Sequence, residues 1–315
     1  MSGWEFKRNL ARFGLVSAAA LALTTSGFTQ DADNNPQTIG AKRGMTIEQG
    51  RDAGWYYDQT EKLMTAVSAL KPQRPGVVDA YIISVGLDSD GVFTREAGEA
   101  ANILSRRYDG EGRTLSLATG TDGPMPQGSP TMIAASLAAV AKKMDLKEDV
   151  LILFTTSHGD PNVGIVYRDE TEGFGMIAPL RMAEMLDGLG FQKRMVIISA
   201  CFSGVFVPPL ANANSIVLTA ASSTRSSFGC SASNDWTFFG DALLNNALRK
   251  PQPLATAVNE AHSMIAGWEK GRKFDVSDPQ ASFGKNSAVW LKALEARAPK
   301  DATKPVGKPA NDFDK

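Results

Sequence analysis

Between residues 77 and 219 the hydrophobic positions fall into two alternating patterns. Short, near-continuous apolar runs rich in β-branched residues occupy 77–85, 114–118, 149–155, 195–199 and 215–219. Runs of this length and character read as strands buried on both faces. Between and after them, apolar residues recur every three or four positions, the period of a helix with one buried face. Ala97, Ala100, Ala101 and Leu104 form one such set within 95–107. Ile133, Leu137, Val140 and Met144 form a second, preceded by Ser129 and Pro130 as N-cap and first helical residue. Met182, Met185, Leu186 and Leu189 form a third, closed by Gly188 and Gly190. Two more follow at Phe239, Ala242, Leu243 and Asn246, and at Leu254, Val258, Ala261, Ile265 and Trp268. Strand and helix alternate, which predicts an α/β fold with a mostly parallel β-sheet and helices on both faces. In such sheets ligands meet the protein at the carboxyl ends of the strands. The chemistry should therefore lie there.

The pattern fails at both ends. Residues 1–12 carry Lys7, Arg8 and Arg12 against Glu5, and 13–30 hold no charge. A basic stretch before a short apolar one is the layout of a secretory signal. A retained anchor is the alternative, because the uncharged stretch sits at the lower edge of spanning length. Residues 1–30 are thus expected to be a signal peptide or N-terminal anchor. The location expected is periplasmic or secreted, or the inner membrane if the segment is not cleaved. Residues 31–74 read as a polar leader and an N-terminal helical segment, and 75–295 as the folded domain. Residues 296–315, with Pro299, Pro305 and Pro309 among lysines and aspartates, read as a disordered tail. No linker or repeat divides the core, so a single domain is expected.

Charge and composition then narrow the function. The 315 residues carry 33 Lys plus Arg against 34 Asp plus Glu, a formal charge of -1. No general field exists to attract a phosphate backbone, so nucleic acid is not an expected partner. Two Cys and two His, with neither CxxC nor HxxxH, leave little for clustered metal ligation. No metal and no cofactor are expected. A His- or Cys-dependent reaction would have to use Cys201, Cys230, His158 or His262.

Two of the four lie just past predicted strands. One strand runs into Thr155-Thr156-Ser157-His158-Gly159-Asp160, another into Ser199-Ala200-Cys201-Phe202-Ser203-Gly204. A thiol is a weak nucleophile until it loses its proton, and a neighbouring imidazole can take it. The backbone N–H groups of Gly159 and Cys201 would face the same crevice, as candidate donors for an oxyanion. Taken alone, the pair reads more simply as a small core cysteine and a satisfied turn histidine. His262, flanking the apolar stripe of 254–268, reads as a surface histidine, and Cys230 as a packing residue.

The order of these blocks resembles that of the caspase-like cysteine peptidases, specifically the bacterial branch of the legumain (C13) family. Phe154-Thr-Thr-Ser-His158-Gly159 is similar to the family's histidine block and Ser199-Ala-Cys201-Phe-Ser-Gly204 to its nucleophile block. The segment from Arg95 to Ala100, that from Thr219 to Cys230 with Asn234-Asp235-Trp236, and Ser277-Asp278-Pro279-Gln280 agree as well. The likeness covers residues 75–284. It implies a caspase-like sheet-and-helix domain that hydrolyses peptide bonds with a Cys-His dyad and an acyl-enzyme, acting on a peptide or protein substrate. It implies Cys201 as nucleophile, His158 as general acid and base, and Gly159 as an oxyanion donor together with Cys201. Arg95, Ser227 and Asp235 fall on positions that line the pocket for the residue before the scissile bond. An Arg and an Asp together suit an amide side chain, which offers an acceptor to one and a donor to the other. The pattern is departed from at three places. Ser199 stands where legumain has a pocket Glu, Ser157 replaces an Asp, and the Asn that orients the histidine in legumain is replaced near Phe93. These departures keep a non-catalytic binding module open as an alternative, and the dyad equally suits a transpeptidase.

Overall fold

The computed structural model describes residues 42–121 and 123–312. The segment expected as a signal or anchor, and the leader up to residue 41, lie outside the described residues. In chain order the elements are β1 (Thr46–Glu48), α1 (Ala53–Ser68), β2 (Ala80–Gly86), α2 (Gly91–Arg107), β3 (Thr114–Ala118), α3 (Pro130–Ala141), β4 (Val150–Thr156), β5 (Gly159–Asp160), β6 (Gly164–Asp169) and β7 (Gly173–Ile177). Then come α4 (Pro179–Gly188), β8 (Arg194–Ser199), β9 (Ser215–Thr219), α5 (Leu254–Arg272), β10 (Gln280–Phe283) and α6 (Ser287–Glu295). A helical stretch, Phe238–Gly240 followed by the π-wound Asp241–Ala247, precedes α5.

The main sheet has the order β10-β9-β8-β4-β2-β3. All its neighbours are parallel except the edge pair β10 and β9. The mostly parallel α/β sheet expected from the alternation is present, at nearly the expected boundaries. Register levels the three central strands. Gly86 of β2 stands beside Thr156 of β4, and Thr156 beside Ser199 of β8. The carboxyl ends that lead into Leu87, Ser157 and Ala200 therefore lie in one row.

Successive strand residues alternate between two cores, as the pleat requires. Ile83, Leu151, Leu153, Val196 and Ile198 pack with Leu63 of α1, Ile133 and Leu137 of α3 and Met182 and Leu186 of α4. Ile82, Ile152, Phe154, Ile197 and Leu218 pack with Leu104 of α2, Val258 and Ile265 of α5 and Trp290 of α6. Each such side chain is fully or nearly fully buried. Burial at this level contributes about 1.5–3 kcal/mol per large apolar group, so truncating Ile152 to Ala should cost about 2–5 kcal/mol. α3 begins as its sequence predicts: the Ser129 hydroxyl accepts from Met132 N–H, with Pro130 at the first position.

A second sheet, β1-β7-β6-β5, is antiparallel throughout. It was not expected. Its strands are short and carry Gly164, Gly173 and Gly175, so they have neither the apolar run nor the alternation that marks a strand. Its first strand comes from the segment read as leader and helix, and Arg43 just before it is paired with Glu184 of α4 at 2.7 Å.

The expected disordered tail is corrected through residue 312. Trp236 indole N–H donates to the Val306 carbonyl at 2.9 Å, and Lys308 N–H donates to Asp235 Oδ2 at 2.7 Å. Ala310 N–H donates to Asp241 Oδ2 at 2.7 Å, and Ala310 is buried. A polar, proline-rich composition hides this order, because the strap is held through its backbone by side chains of the domain. Among the described residues no helix is long and apolar enough to cross a membrane.

Candidate active site

His158 and Cys201 each lie two residues beyond a strand end, on adjacent parallel strands whose last pair is Thr156 and Ser199. The backbone continues the pairing past the strands, with Ser157 N–H donating to the Ser199 carbonyl at 3.1 Å. Gly159 then presses against Cys201. A β-carbon at 159 would overlap the Cys201 carbonyl oxygen, so only glycine admits this approach. The two N–H groups proposed as oxyanion donors therefore belong to backbones in contact.

After Cys201 the chain turns sharply. Phe202 takes the left-handed conformation at φ 56°, and a short 3-10 turn, Ser203–Phe206, follows at once. A non-glycine residue in this region carries backbone strain. Phe202 N–H is held by the Arg225 carbonyl at 2.8 Å. The elbow leaves the thiol half-buried and turned to the 220–236 loop, where Ser227 N–H donates to Sγ at 3.3 Å. The Ser227 hydroxyl and carbonyl are 3.7 and 3.5 Å from the same sulfur. Ser227, expected on the substrate side, thus touches the nucleophile candidate directly.

The His158 side chain is about one-third exposed, at 37%. Its carbonyl accepts from Val166 N–H at 3.0 Å, which ties it to β6. Its ring meets Phe93 edge to face, with centroids 5.0 Å apart and planes at 79°. Phe93 therefore packs against the histidine where the legumain pattern has a polar residue. Asp90 Oδ2 lies 3.6 Å from His158 Nε2, a neighbour the sequence did not single out. Ligand atoms of Asp88, Asp90 and His158 lie within 4.8 Å of one another, the spacing a metal ion needs. Arg168 already sits in this cluster, bound to Asp88 at 2.8 Å and Asp90 at 2.7 Å. Its guanidinium thus pairs with both carboxylates of the group.

Arg95 and Asp235 are brought together, as expected of pocket residues, but as an ion pair at 3.0 Å. Arg95 Nη2 also donates to the carbonyls of Ala232 and Asn234 at 2.6 and 2.5 Å, while Asp235 Oδ2 accepts from Lys308 N–H. An amide side chain binding here would have to share groups that already have partners. The loop is stiffened by Phe228, stacked on Phe274 at 4.6 Å.

Ser199 is buried, and its hydroxyl is 2.9 Å from that of Thr237. Behind them is Glu96, fully buried, accepting from Thr237 N–H at 2.7 Å and from its hydroxyl at 3.2 Å. Burial raises the Glu96 carboxyl above its ordinary value of 4.5, against the hydrogen bonds from Thr237. A carboxyl group thus approaches Ser199 from α2, one residue after Arg95. Its position inside the Arg95–Ala100 block was the available signal.

Of the other two reactive side chains, Cys230 lies near enough to Cys201 to respond to its charge. Cys230 is a free thiol, pushed up to about 11 by burial first and by nearby Cys201 second. His262 is half-buried on α5, and burial lowers it, opposed by Asp278.

A sequence model described as the Peptidase C13 family matches residues 128–286. That span includes β4, β8 and the loop bearing Ser227 and Asp235. No curated protein matches the chain. Among solved structures, the crystal structure of caspase-1 from Spodoptera frugiperda is similar at 12% identity, with a TM-score of 0.45 over 69% of this chain and 94% of that one.

Proposed function

Since the chain belongs to the peptidase C13 family and is a cysteine peptidase by that membership, we propose that it is an exported endopeptidase working through Cys201 and His158. His158 takes the proton of the Cys201 thiol as Sγ attacks the scissile carbonyl carbon. The N–H groups of Gly159 and Cys201 hold the oxygen as it becomes negative. Collapse of the tetrahedral species breaks the C–N bond, with the proton passing from imidazolium to the leaving amine. Water, deprotonated by His158, then attacks the thioester and frees the acid and the thiol.

The observation that supports this reading is the contact of the Gly159 backbone with that of Cys201 beyond two level strand ends, which brings the segments bearing the imidazole and the thiol side by side. Ser227 N–H adds a donor aimed at the sulfur at 3.3 Å. Arg95, Ser199, Ser227 and Asp235 are assigned to the pocket for the residue before the scissile bond, with a peptide or protein outside the cytoplasm as substrate.

The test is to trap the acyl-enzyme. A slowly deacylated peptide ester is added, the reaction is quenched in acid, and the intact protein is weighed by mass spectrometry. A single acyl adduct on Cys201, absent from Cys201→Ala, is expected. An adduct elsewhere, or none from an ester that is nonetheless turned over, would overturn the assignment. An added amine that appears in the product would show transpeptidation through the same intermediate.

A further inference from the structure

Asp90 holds the N-cap position of α2, where an aspartate ordinarily folds its carboxylate back onto the free N–H groups of the first turn. It makes no such bond. The helix forgoes its cap, and the carboxylate is directed elsewhere: Oδ2 is 2.7 Å from Arg168 Nη2 and 3.6 Å from His158 Nε2. Asp90 N–H instead donates to Asp88 Oδ1 at 2.9 Å.

The partners of Asp90 are themselves immobilised. Arg168 reaches both oxygens of Asp88, Nε to Oδ2 at 3.0 Å and Nη2 to Oδ1 at 2.8 Å, and Asp88 is fully buried. The backbone of Arg168 is bound on both sides, N–H to the Leu87 carbonyl at 3.0 Å and carbonyl to Ser89 N–H at 2.9 Å. Bidentate pairing of this kind fixes orientation as well as distance. Two carboxylates against one guanidinium leave one net negative charge beside the imidazole. Phe93 is packed edge to face on the same ring and restricts its rotation.

We propose that Asp90 is the positioning residue for His158. It turns Nε2 toward itself and favours the proton there, which leaves Nδ1 as the nitrogen available to the Cys201 thiol. Arg168 and Asp88 hold the carboxylate in place. The separation of 3.6 Å exceeds a hydrogen bond, so in the substrate-free protein the carboxylate faces the imidazole without bonding to it. Such contacts shorten in substrate complexes.

The inference rests on the proposed roles of Cys201 and His158, and its test separates the two. Full-length wild type, Asp90→Asn, Asp90→Glu and Cys201→Ala are compared for kcat and KM on a cleaved peptide, for the rate of Cys201 alkylation by iodoacetamide, and for Tm. Asp90 makes no cap bond and its ion pair with Arg168 is partly exposed, so Tm should barely move. Asp90→Asn should lower kcat by about 10- to 1,000-fold, slow alkylation, and leave KM within about twofold, with Asp90→Glu recovering part of the loss. Unchanged kcat and alkylation in Asp90→Asn, or losses that only follow a fall in Tm, would overturn the proposal. Should Cys201→Ala cleave as well as wild type, the dyad reading fails. Alkylation then still decides the role of Asp90: slower in Asp90→Asn supports it, and an equal rate overturns it.

Discussion

Gly159 lies flat against the peptide of Cys201, so close that a β-carbon at 159 would overlap the Cys201 carbonyl oxygen. The contact joins the residue after the histidine to the nucleophile candidate, and it has no slack. Gly159→Ala should therefore push the two strand ends apart. Overpacking of this kind costs about 1–3 kcal/mol, and misplacing reacting groups by even 1 Å costs about 100-fold in rate. The expected outcome is a Tm lower by several degrees and a kcat reduced about 100-fold or more, measured by thermal melt and peptide turnover. Wild-type kcat in Gly159→Ala would show that the contact does not govern the reaction.

The two thiols should differ in reactivity. Cys230 is pushed up to about 11 by burial, reinforced by nearby Cys201, so near pH 7 only about one molecule in 10⁴ carries its thiolate. Iodoacetamide at pH 7.5 is expected to alkylate Cys201 first, with Cys230 modified only after unfolding. Peptide mapping by mass spectrometry over a time course reads this directly. Faster modification of Cys230 would contradict the arrangement.

Glu96 predicts a pH dependence of stability. Its carboxyl is raised in the folded state, so between the unfolded and folded values the native protein binds more protons than the unfolded chain. Stability from this group is complete below about 4.5 and is lost as pH rises through the elevated folded value. Glu96→Gln, which mimics the neutral acid in shape, should lack that loss. Measured side by side in denaturant, the variant should gain on wild type as pH rises from 4.5, whereas a constant difference would mean that the carboxyl is not displaced.

Much of this architecture is readable in the chain, and the parts that are not have physical reasons. The runs that became β2, β4 and β8 are buried on both faces, so each is apolar throughout and advertises itself. His158 and Cys201 could be placed because each follows such a run at the same offset. β5, β6 and β7 could not, since their glycines and mixed polarity leave no periodic signal. Arg95 and Asp235 were singled out by the family resemblance alone, yet their pairing at 3.0 Å depends on a loop closing over α2. Asp90 carries no signal of its own in the sequence. Only the structure shows its carboxylate turned from the helix toward His158.

The C-terminal strap should matter to the pocket. Gly307 adopts φ +74°, and a β-carbon there would fall 2.9 Å from Asp235 Oδ2. Lys308 N–H binds that same oxygen, and Val306 accepts from the Trp236 indole. Gly307→Val should therefore loosen the Asp235 loop, at a cost of about 1–3 kcal/mol. If the loop bears the proposed pocket groups, KM should rise by a larger factor than kcat falls. Steady-state kinetics on one peptide, with denaturant unfolding beside it, test both parts. A variant with wild-type KM would detach the strap from the pocket.

The proposed function stands or falls on Cys201 breaking peptide bonds. Purified protein is incubated with a proteome-derived peptide library beside folded Cys201→Ala, and the new termini are identified by mass spectrometry. Wild type should give a defined set of internal cleavages and Cys201→Ala none. The same cleavages from Cys201→Ala at wild-type rate would contradict it.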